Sequence, residues 1–512
     1  MSDQSVESRA AKVSLVTGGS VIIAIVFQLV SVPICLHFWG ARQYGEWLAV
    51  FAAANFLRVV DSGYITFAGN RLNLLYHQDT NLLRKVLASG VYAVALLGVV
   101  QIGALLLIGQ LGGLGWLLGS DHLARASDAQ AALAILVGSW VVSGSYFGLV
   151  HRLMVPTGLL YQAAWWSMGY QVSLFLAVVC AAASRFDLLA TSILVAAIQA
   201  VTYILSAAYV WWKLPEFMPW RSRPSLHLAL LDIRGSLVFS AQSAAQQLST
   251  NGLVVLVSSM LGTAIVPVFT TTRTAVNLWN SVINTLTSPL LPDVVRLHVQ
   301  KQTRKLLALA DAHVWLIGTI VSLGIVVSYP VVVWAYGIWT HHELVLDKPL
   351  LAALLASMAF VGAGSFMTLY LAGINNRKAV LVLALTRATI SFAVALILLR
   401  PLGLVGVGFG LLAAEAVCYL LMATHFFPQA TQMRAEVSRR IATPGWLPWS
   451  VIIACAYVGI AAHFGRTLPI YYAISIALTL TAAWFGWKAL DTDTRARLVA
   501  LGLRFSPIGG SK

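Results

Sequence analysis

Arg273, Asn277, Asn280 and Asn284 stand at i, i+4, i+7 and i+11, a spacing that lines all four along one face of a helix. The stretch around them, residues 264–297, is otherwise apolar enough to cross a membrane. A guanidinium at bilayer depth costs at least about 2.5 kcal/mol, and buried amides need partners. This face is therefore expected to look into a bundle interior or a water-filled cavity. No acid lies within a turn of Arg273 in the sequence, and a planar guanidinium suits phosphate and pyrophosphate oxygens. The chemistry expected here is the binding of an anion, not bond making; no catalytic residues are assigned.

Other polar residues recur inside apolar stretches. Gln242, Gln246 and Ser249 share a helical face in the seventh predicted span, and Asn55, Arg58, Ser62 and Thr66 share one in the second. Asp61 follows Arg58 at i+3 and is close enough to pair with it, so Arg58 either is neutralised there and locks packing or serves as a second cavity cation. At ~1.5 Å per residue, Arg58 lies about 21 Å and Arg273 about 14 Å from the outer ends of their helices, both within a ~30 Å core. Arg387 and Glu415 fall at similar depth on neighbouring spans, which predicts an ion pair; the alternative is that Glu415 binds a proton or cation. Asp311 and His313 are placed near interfacial water. His341, His342 and Glu343 lack a further ligand set, and Cys35, Cys180, Cys418 and Cys455 sit in separate spans without CxxC or Cys/His spacing. Neither a metal site, a disulfide framework nor any cofactor is expected.

Composition fixes the class that must position these groups. The chain has 512 residues, 59% hydrophobic and 10% charged, with a mean hydropathy of +0.82. Apolar spans of roughly 20 residues recur along it, which implies an all-α polytopic membrane protein and not a β-barrel. The net charge of +15 comes from basic residues scattered among connections, with no nucleic-acid-binding module, so no nucleic-acid partner is expected. The N-terminal apolar run is too long for a cleaved leader and reads as a first helix.

Fourteen spans are predicted, at about 14–37, 44–66, 86–110, 131–150, 159–183, 188–212, 236–260, 264–290, 307–334, 350–373, 380–399, 402–427, 447–463 and 469–490. Most of the 33 Lys and Arg then fall on one side, among them Arg71, Arg84, Lys85, Lys213, Arg221, Arg223, Arg234, Arg296, Lys301, Arg434, Arg439 and Arg440. Under the positive-inside rule that side, with both termini, is cytoplasmic. Trp165–Trp166, Trp211–Trp212, Trp446 with Trp449 and Trp484 with Trp487 read as interfacial anchors. The exterior connections, the longest at 111–130 and 335–349, are too short to hold a catalytic domain, and no enzyme activity is expected.

An internal repeat divides the spans. FWGARQYGEW between spans one and two matches MLGTAIVPVF between seven and eight, and RLNLLYHQDTNLLRKVL is echoed by RLHVQKQTRKLLAL. Two six-helix lobes in pseudo-two-fold arrangement are expected: 1–212, then an inter-lobe loop 213–235 whose SLHLALLDIR segment is suited to lie along the inner interface, and 236–427. A cytoplasmic loop 428–446 and two further helices with a tail, 447–512, complete the chain.

WGARQYGEWLAVFAAANFLRVVDSGYITFAGNRLN resembles the G-x-x-x-YG-x-W … D-x-G opening of polysaccharide flippases (Wzx-like) in the multidrug/oligosaccharidyl-lipid/polysaccharide exporter superfamily. VFSAQSAAQQLSTNGLVVLVSSMLGTAIVPVFTTTRT with SPLLPDVVRL is similar to the seventh and eighth helices of that family, and LAGINNRKAVLVL with LGLVGVGFGLLAAE to the tenth to twelfth. The resemblance, over roughly 20–427, implies a two-lobed transporter of undecaprenyl-pyrophosphate-linked oligosaccharide repeat units across the bacterial cytoplasmic (inner) membrane. Its pathway would be O-antigen, capsule or exopolysaccharide assembly. Arg58 and Arg273 are similar in placement to cavity arginines of the related lipid II flippases, whereas the first helix has Gln28 and Ser31 in place of a buried Arg or Asp, which favours a different repeat unit. The substrate-binding set expected from both readings is Arg273, Arg58, Asn277, Asn280, Asn284, Gln242, Gln246 and Asn55. The implied partners are the lipid-linked substrate, membrane lipid, and a polysaccharide polymerase with its chain-length machinery. The alternative within the same superfamily is a cation-coupled drug antiporter with Asp61 or Glu415 as coupling acid.

Overall fold

The computed structural model describes residues 3–110, 126–432, 446–464, 469–489 and 495. Among them there is helix and no strand. Arg434, Arg439, Arg440, the segment 111–125, most of the 428–446 connection and most of the tail lie outside the described residues.

Each of the fourteen predicted spans falls on one or two helices. α1 (Asp3–Leu57) holds the first span and part of the second, and α2 (Val59–Gln78) completes the second after a one-residue break at Arg58. α3 is Thr80–Gln110; α4 (Ala126–Ser139) continues through a π turn, Trp140–Gly144, into α5 (Ser145–His151). α6 (Leu160–Ala183) and α7 (Leu188–Lys213) follow. α8 (Leu226–Gln247), a second π turn (Leu248–Gly252) and α9 (Leu253–Leu261) make the seventh span, and α10 (Val266–Thr287) the eighth. SLHLALLDIR does not lie apart along the interface: capped by Ser225, it is the opening of α8. Beyond the short α11 (Leu291–Val299) come α12 (Thr303–Trp339), α13 (Lys348–Gly373), α14 (Arg377–Leu402) and α15 (Leu404–Leu421). A third π turn (Met422–Phe426) leads to α16 (Phe427–Thr431), then α17 (Trp446–Phe464) and α18 (Pro469–Ala489).

Local chemistry sets the ends. Asp187, Asp347 and Asn376 accept from the backbone N–H three residues on, at 2.8, 2.9 and 3.1 Å, each satisfying an orphan donor of the helix that follows. The two repeat-related turns rest on glycine in the same unusual conformation, Gly40 at φ 68°, ψ 174° and Gly262 at φ 91°, ψ 160°, which a Cβ would resist.

Eight described helices are long and apolar enough to cross a membrane by length and composition: α3, α4–α5, α6, α7, α12, α13, α14 and α15–α16. Neither the α8–α9 pair nor α10 is among them, because their polar residues lower the mean. Those two spans need a polar surface on one side to be stable at membrane depth.

Packing divides the chain into two compact units, 1–270 with 339–344 and 271–338 with 345–512. In the first, Tyr64, Ala68, Leu72, Leu83, Leu87, Leu149, Leu153 and Val210 form one buried cluster. In the second, α13 is the most enclosed helix, with Phe366 and Tyr370 at the centre of a cluster that includes Val294, Leu306, Cys418 and Phe427. Small residues let its helices close up. Gly406 and Gly410 of α15 bring it onto the backbone of Leu398 and Ser391 in α14, while Gly408 on the other side meets Ala353 of α13.

Candidate functional site

In the first unit Arg58 sits at the break between α1 and α2 and is buried, with 8% of its surface exposed. Its Nη1 donates to Asn55 Oδ1 at 3.2 Å, and Nη2 donates to Gln199 Oε1 at 2.9 Å and to the Leu136 carbonyl at 3.4 Å. The guanidinium also lies over the Trp140 ring, 4.8 Å from its centroid. Asp61, 1% exposed, is not paired with Arg58 directly. It accepts from Trp140 Nε1 at 2.9 and 3.2 Å and from Ser145 Oγ.

The π turn explains this arrangement. Residues five apart point to different sides of an α-helix, whereas an i→i+5 turn stacks them. Trp140 and Ser145 open and follow the π turn, so both reach one carboxylate. The hydroxyls of Ser62 and Thr66 bond back to Val59 and Ser62 carbonyls within α2. Gln242 is half-buried and Gln246 exposed on α8, and Asn55 is half-buried.

In the second unit α10 has two distinct sides. Thr272, Val276, Ile283 and Thr287 are buried. Along that flank Thr271 Oγ1 meets Tyr336 Oη at 2.7 Å, Trp279 Nε1 donates to Ser328 Oγ at 2.9 Å, and Thr287 Oγ1 meets His313 Nε2 at 3.3 Å. All three partners belong to α12, so the two helices are riveted along their length. The Trp279 ring sits in a notch left by Gly324, where any Cβ would overlap it. One residue round the helix runs the other row: Arg273 and Asn280 are half-buried, and Asn277 and Asn284 are exposed. Asn280 Nδ2 approaches Asn277 Oδ1 at 3.5 Å. The row that sequence spacing singles out is thus a polar edge, half-buried at Arg273 and Asn280 and exposed at Asn277 and Asn284, on a helix fixed from behind.

Arg387 and Glu415 meet in a two-point contact between α14 and α15, Nε to Oε1 at 2.7 Å and Nη2 to Oε2 at 3.0 Å. His313, expected beside interfacial water, is instead 5% exposed and tied to Thr287 and, at 3.1 Å, to Ser365, because α13 closes over it. The partners of Arg58 and Asp61 were not named by spacing. Gln199 is 141 residues from Arg58, and only the run of small and hydroxyl residues around Trp140 hints at a polar pocket there.

No protein-family model matches the chain, and no curated protein does. Solved structures do. A lipid II flippase, MurJ, in an inward closed conformation is similar over 92% of this chain and 98% of its own, with a TM-score of 0.64 at 12% identity. An inward-facing multidrug resistance MATE family transporter of the MOP superfamily is similar over 82% and 96%, with a TM-score of 0.63 at 14% identity. A MATE transporter from Vibrio cholerae is similar over 86% and 99%, at 0.51 and 15%. At these identities the likeness is one of fold: this chain is built on the same all-helical membrane framework as these transporters.

Proposed function

We propose that this protein is a flippase that carries lipid-linked oligosaccharide repeat units, joined through pyrophosphate to a polyprenyl tail, from the inner to the outer leaflet of the bacterial cytoplasmic membrane for surface polysaccharide assembly. The observation that carries this reading is the polar row Arg273, Asn277, Asn280 and Asn284, exposed at its two outer amides Asn277 and Asn284, on a helix anchored along its adjacent flank. A cation followed by amides matches a head group whose pyrophosphate is followed by sugar hydroxyls. The guanidinium offsets the anionic charge, the amides exchange hydrogen bonds with the sugars, and the apolar tail stays in lipid. In the first unit, taken by itself, Gln242, Gln246 and Asn55 offer hydrogen-bonding groups and Arg58 a cation held in place, a set we propose for substrate contact. The fold shared with a lipid II flippase over most of both chains supports the substrate class.

In this reading both termini face the cytoplasm, which the charge asymmetry supports, and the working lobes are 1–212 and 236–427, joined by 213–235. No bond is made or broken, so the reading assigns no catalytic group. A polymerase and chain-length machinery would consume the exported units. Deleting the gene should strand complete repeat units on the inner leaflet while surface polysaccharide disappears. Export that continues at the normal rate in that strain contradicts the reading.

A second reading, cation-coupled export of a drug or other solute, has a specific observation behind it: the nearly inaccessible carboxylate of Asp61, held by Trp140 and Ser145, in a fold shared with a multidrug transporter. Resistance profiles with and without expression separate the two. A change in drug tolerance with unaltered glycan favours the antiporter.

A further inference from the structure

On its basic, inward-assigned side the second unit ends in a patch of cations on a fixed backbone. α10 is 22 residues long, about 33 Å at ~1.5 Å per residue, so it crosses a ~30 Å hydrocarbon core and α11 begins at head-group depth. α11 is seated on the unit: Val294 is buried in the cluster around Phe366 and Tyr370, and Leu291 and Val295 lie against Gly373 at the end of α13. Leu306 and Ala379 belong to the same cluster, and the residues just before each are exposed cations, Arg304 with Lys305 and Arg377 with Lys378. Arg296 and Lys301 are exposed as well. Asp293 is the one acid in 288–310 and 374–380; its 2.7 Å contact with Arg296, with both side chains more than half exposed, is a weak surface pair.

One of these cations is held against local preference. The N–H of Lys301 donates to the His298 carbonyl and that of Gln302 to the Leu297 carbonyl, both at 3.0 Å. These are the paired bonds of a Schellman close, with Lys301 at its left-handed position, φ 54°. Glycine takes that conformation freely, whereas a residue with a Cβ is strained there. A positive-inside bias asks for a cation near this end, not at this backbone position, so the strain points to a use for the side chain itself. The repeat-related arginines of the first unit are engaged within it: Arg71 pairs with the buried Asp232, and Arg84 lies over the Phe217 ring, 5.9 Å from its centroid. Arg296 and Arg304 instead stand exposed. Between Arg296 and Lys301 lies Val299, an apolar side chain 72% exposed.

We propose that this patch, Arg296, Lys301, Arg304, Lys305, Arg377 and Lys378 with Val299 among them, is a docking surface for anionic phospholipid of the inner leaflet, and that the bound lipid steadies the inner end of the second unit. Phosphates of such lipids lie at the depth where α11 begins, each cation adds to the attraction, and Val299 enters the boundary between head groups and acyl chains. The exposed apolar residue among the cations fits a lipid better than a soluble anion. The proposal does not depend on the cargo and takes from the transporter reading only the inward direction of this end.

The test titrates purified full-length protein in detergent with phosphatidylglycerol, zwitterionic phosphatidylcholine or inorganic phosphate and reads the unfolding midpoint. Only phosphatidylglycerol should raise it. Without lipid, Lys301→Gly should unfold at or above the wild-type midpoint, since glycine relieves the turn, yet it should need about fivefold more phosphatidylglycerol for the same rise. Adding Arg304→Gln and Lys305→Gln should raise that requirement by about fivefold for each cation removed. Lys213→Gln with Arg221→Gln and Arg223→Gln, an equal loss of exposed charge on the first unit, should respond as the wild type does. A response unchanged in the second-unit triple variant, or weakened equally in the first-unit control, overturns the site. A rise reproduced by inorganic phosphate or phosphatidylcholine overturns the lipid assignment. Lys301→Gly protein that unfolds below the wild type without lipid would show that the side chain serves the fold, and would contradict the proposal. None of these readouts involves the cargo, so their failure leaves the flippase reading untouched.

Discussion

Arg58 and Asp61, one helical turn apart, are joined through a single indole and not to each other. The guanidinium rests on the face of Trp140, 4.8 Å from its centroid, while the indole N–H donates to Asp61 at 2.9 Å. The aromatic ring spreads the interaction of two buried opposite charges over a polarisable plane and fixes both side chains. It also leaves the guanidinium held by neutral acceptors, Asn55, Gln199 and the Leu136 carbonyl, so its charge is not cancelled by direct contact with the acid.

Trp140→Phe keeps the ring face and removes the donor. Loss of a hydrogen bond to a buried carboxylate is worth about 1.5–3 kcal/mol, so thermal unfolding in detergent should move down clearly. Trp140→Leu, which also removes the cation–π contact, should move it further. If both variants unfold with the wild type, the indole is not the link between the two charges.

The notch at Gly324 predicts a coupled pair. Gly324→Ala should destabilise by about 1–3 kcal/mol because its methyl overlaps the Trp279 ring. Trp279→Phe, a smaller ring, should cost less in the Gly324→Ala background than in the wild type. Strict additivity in a double-mutant cycle would show that the ring is not seated there.

Arg387 and Glu415 make a two-point ion pair with 36% and 14% of their side chains exposed. Glu415→Gln or Arg387→Ala should lower stability by about 1–3 kcal/mol, less than for a fully buried pair because water already reaches the arginine. Exchanging the two residues should restore much of that stability. If the pair is structural, transport survives the exchange; transport lost in a stable exchanged protein would assign Glu415 a coupling role.

Much of this architecture is legible in the sequence because membrane helices announce themselves by length and uniform apolarity. The turn glycines Gly40 and Gly262 mark matching points of the repeat, and each adopts the positive φ that explains its identity. The row from Arg273 to Asn284 is also readable, since a 3.6-residue period fixes which side chains share a face. Other features depend on information that spacing does not carry. The π turn at Trp140–Gly144 rotates Ser145 onto the side of Trp140, and no α-helical period anticipates that. Gln199 and Asp232 acquire their roles from residues 141 and 161 positions away in the chain, Arg58 and Arg71. His313 looks interfacial by position, yet α13 covers it.

The amide row offers a functional prediction separable from folding. Asn277 and Asn284 are exposed and have no packing duty, so Asn277→Leu and Asn284→Leu should leave unfolding unchanged. Both should slow translocation of lipid-linked oligosaccharide, the double variant more than either single one. Equal transport at equal protein level would remove the amides from the substrate path.

The most direct measurement is translocation by purified protein in liposomes, comparing wild type with Arg273→Ala and Arg273→Lys on two substrates that differ only in the charge of the linkage, a polyprenyl pyrophosphate sugar and a neutral polyprenyl sugar. Arg273→Ala is expected to lose at least about tenfold in rate on the pyrophosphate substrate and little on the neutral one, with Arg273→Lys intermediate; a loss of one charge-assisted, two-point contact is of that size. Movement of the pyrophosphate substrate at the wild-type rate by stable Arg273→Ala protein would contradict it.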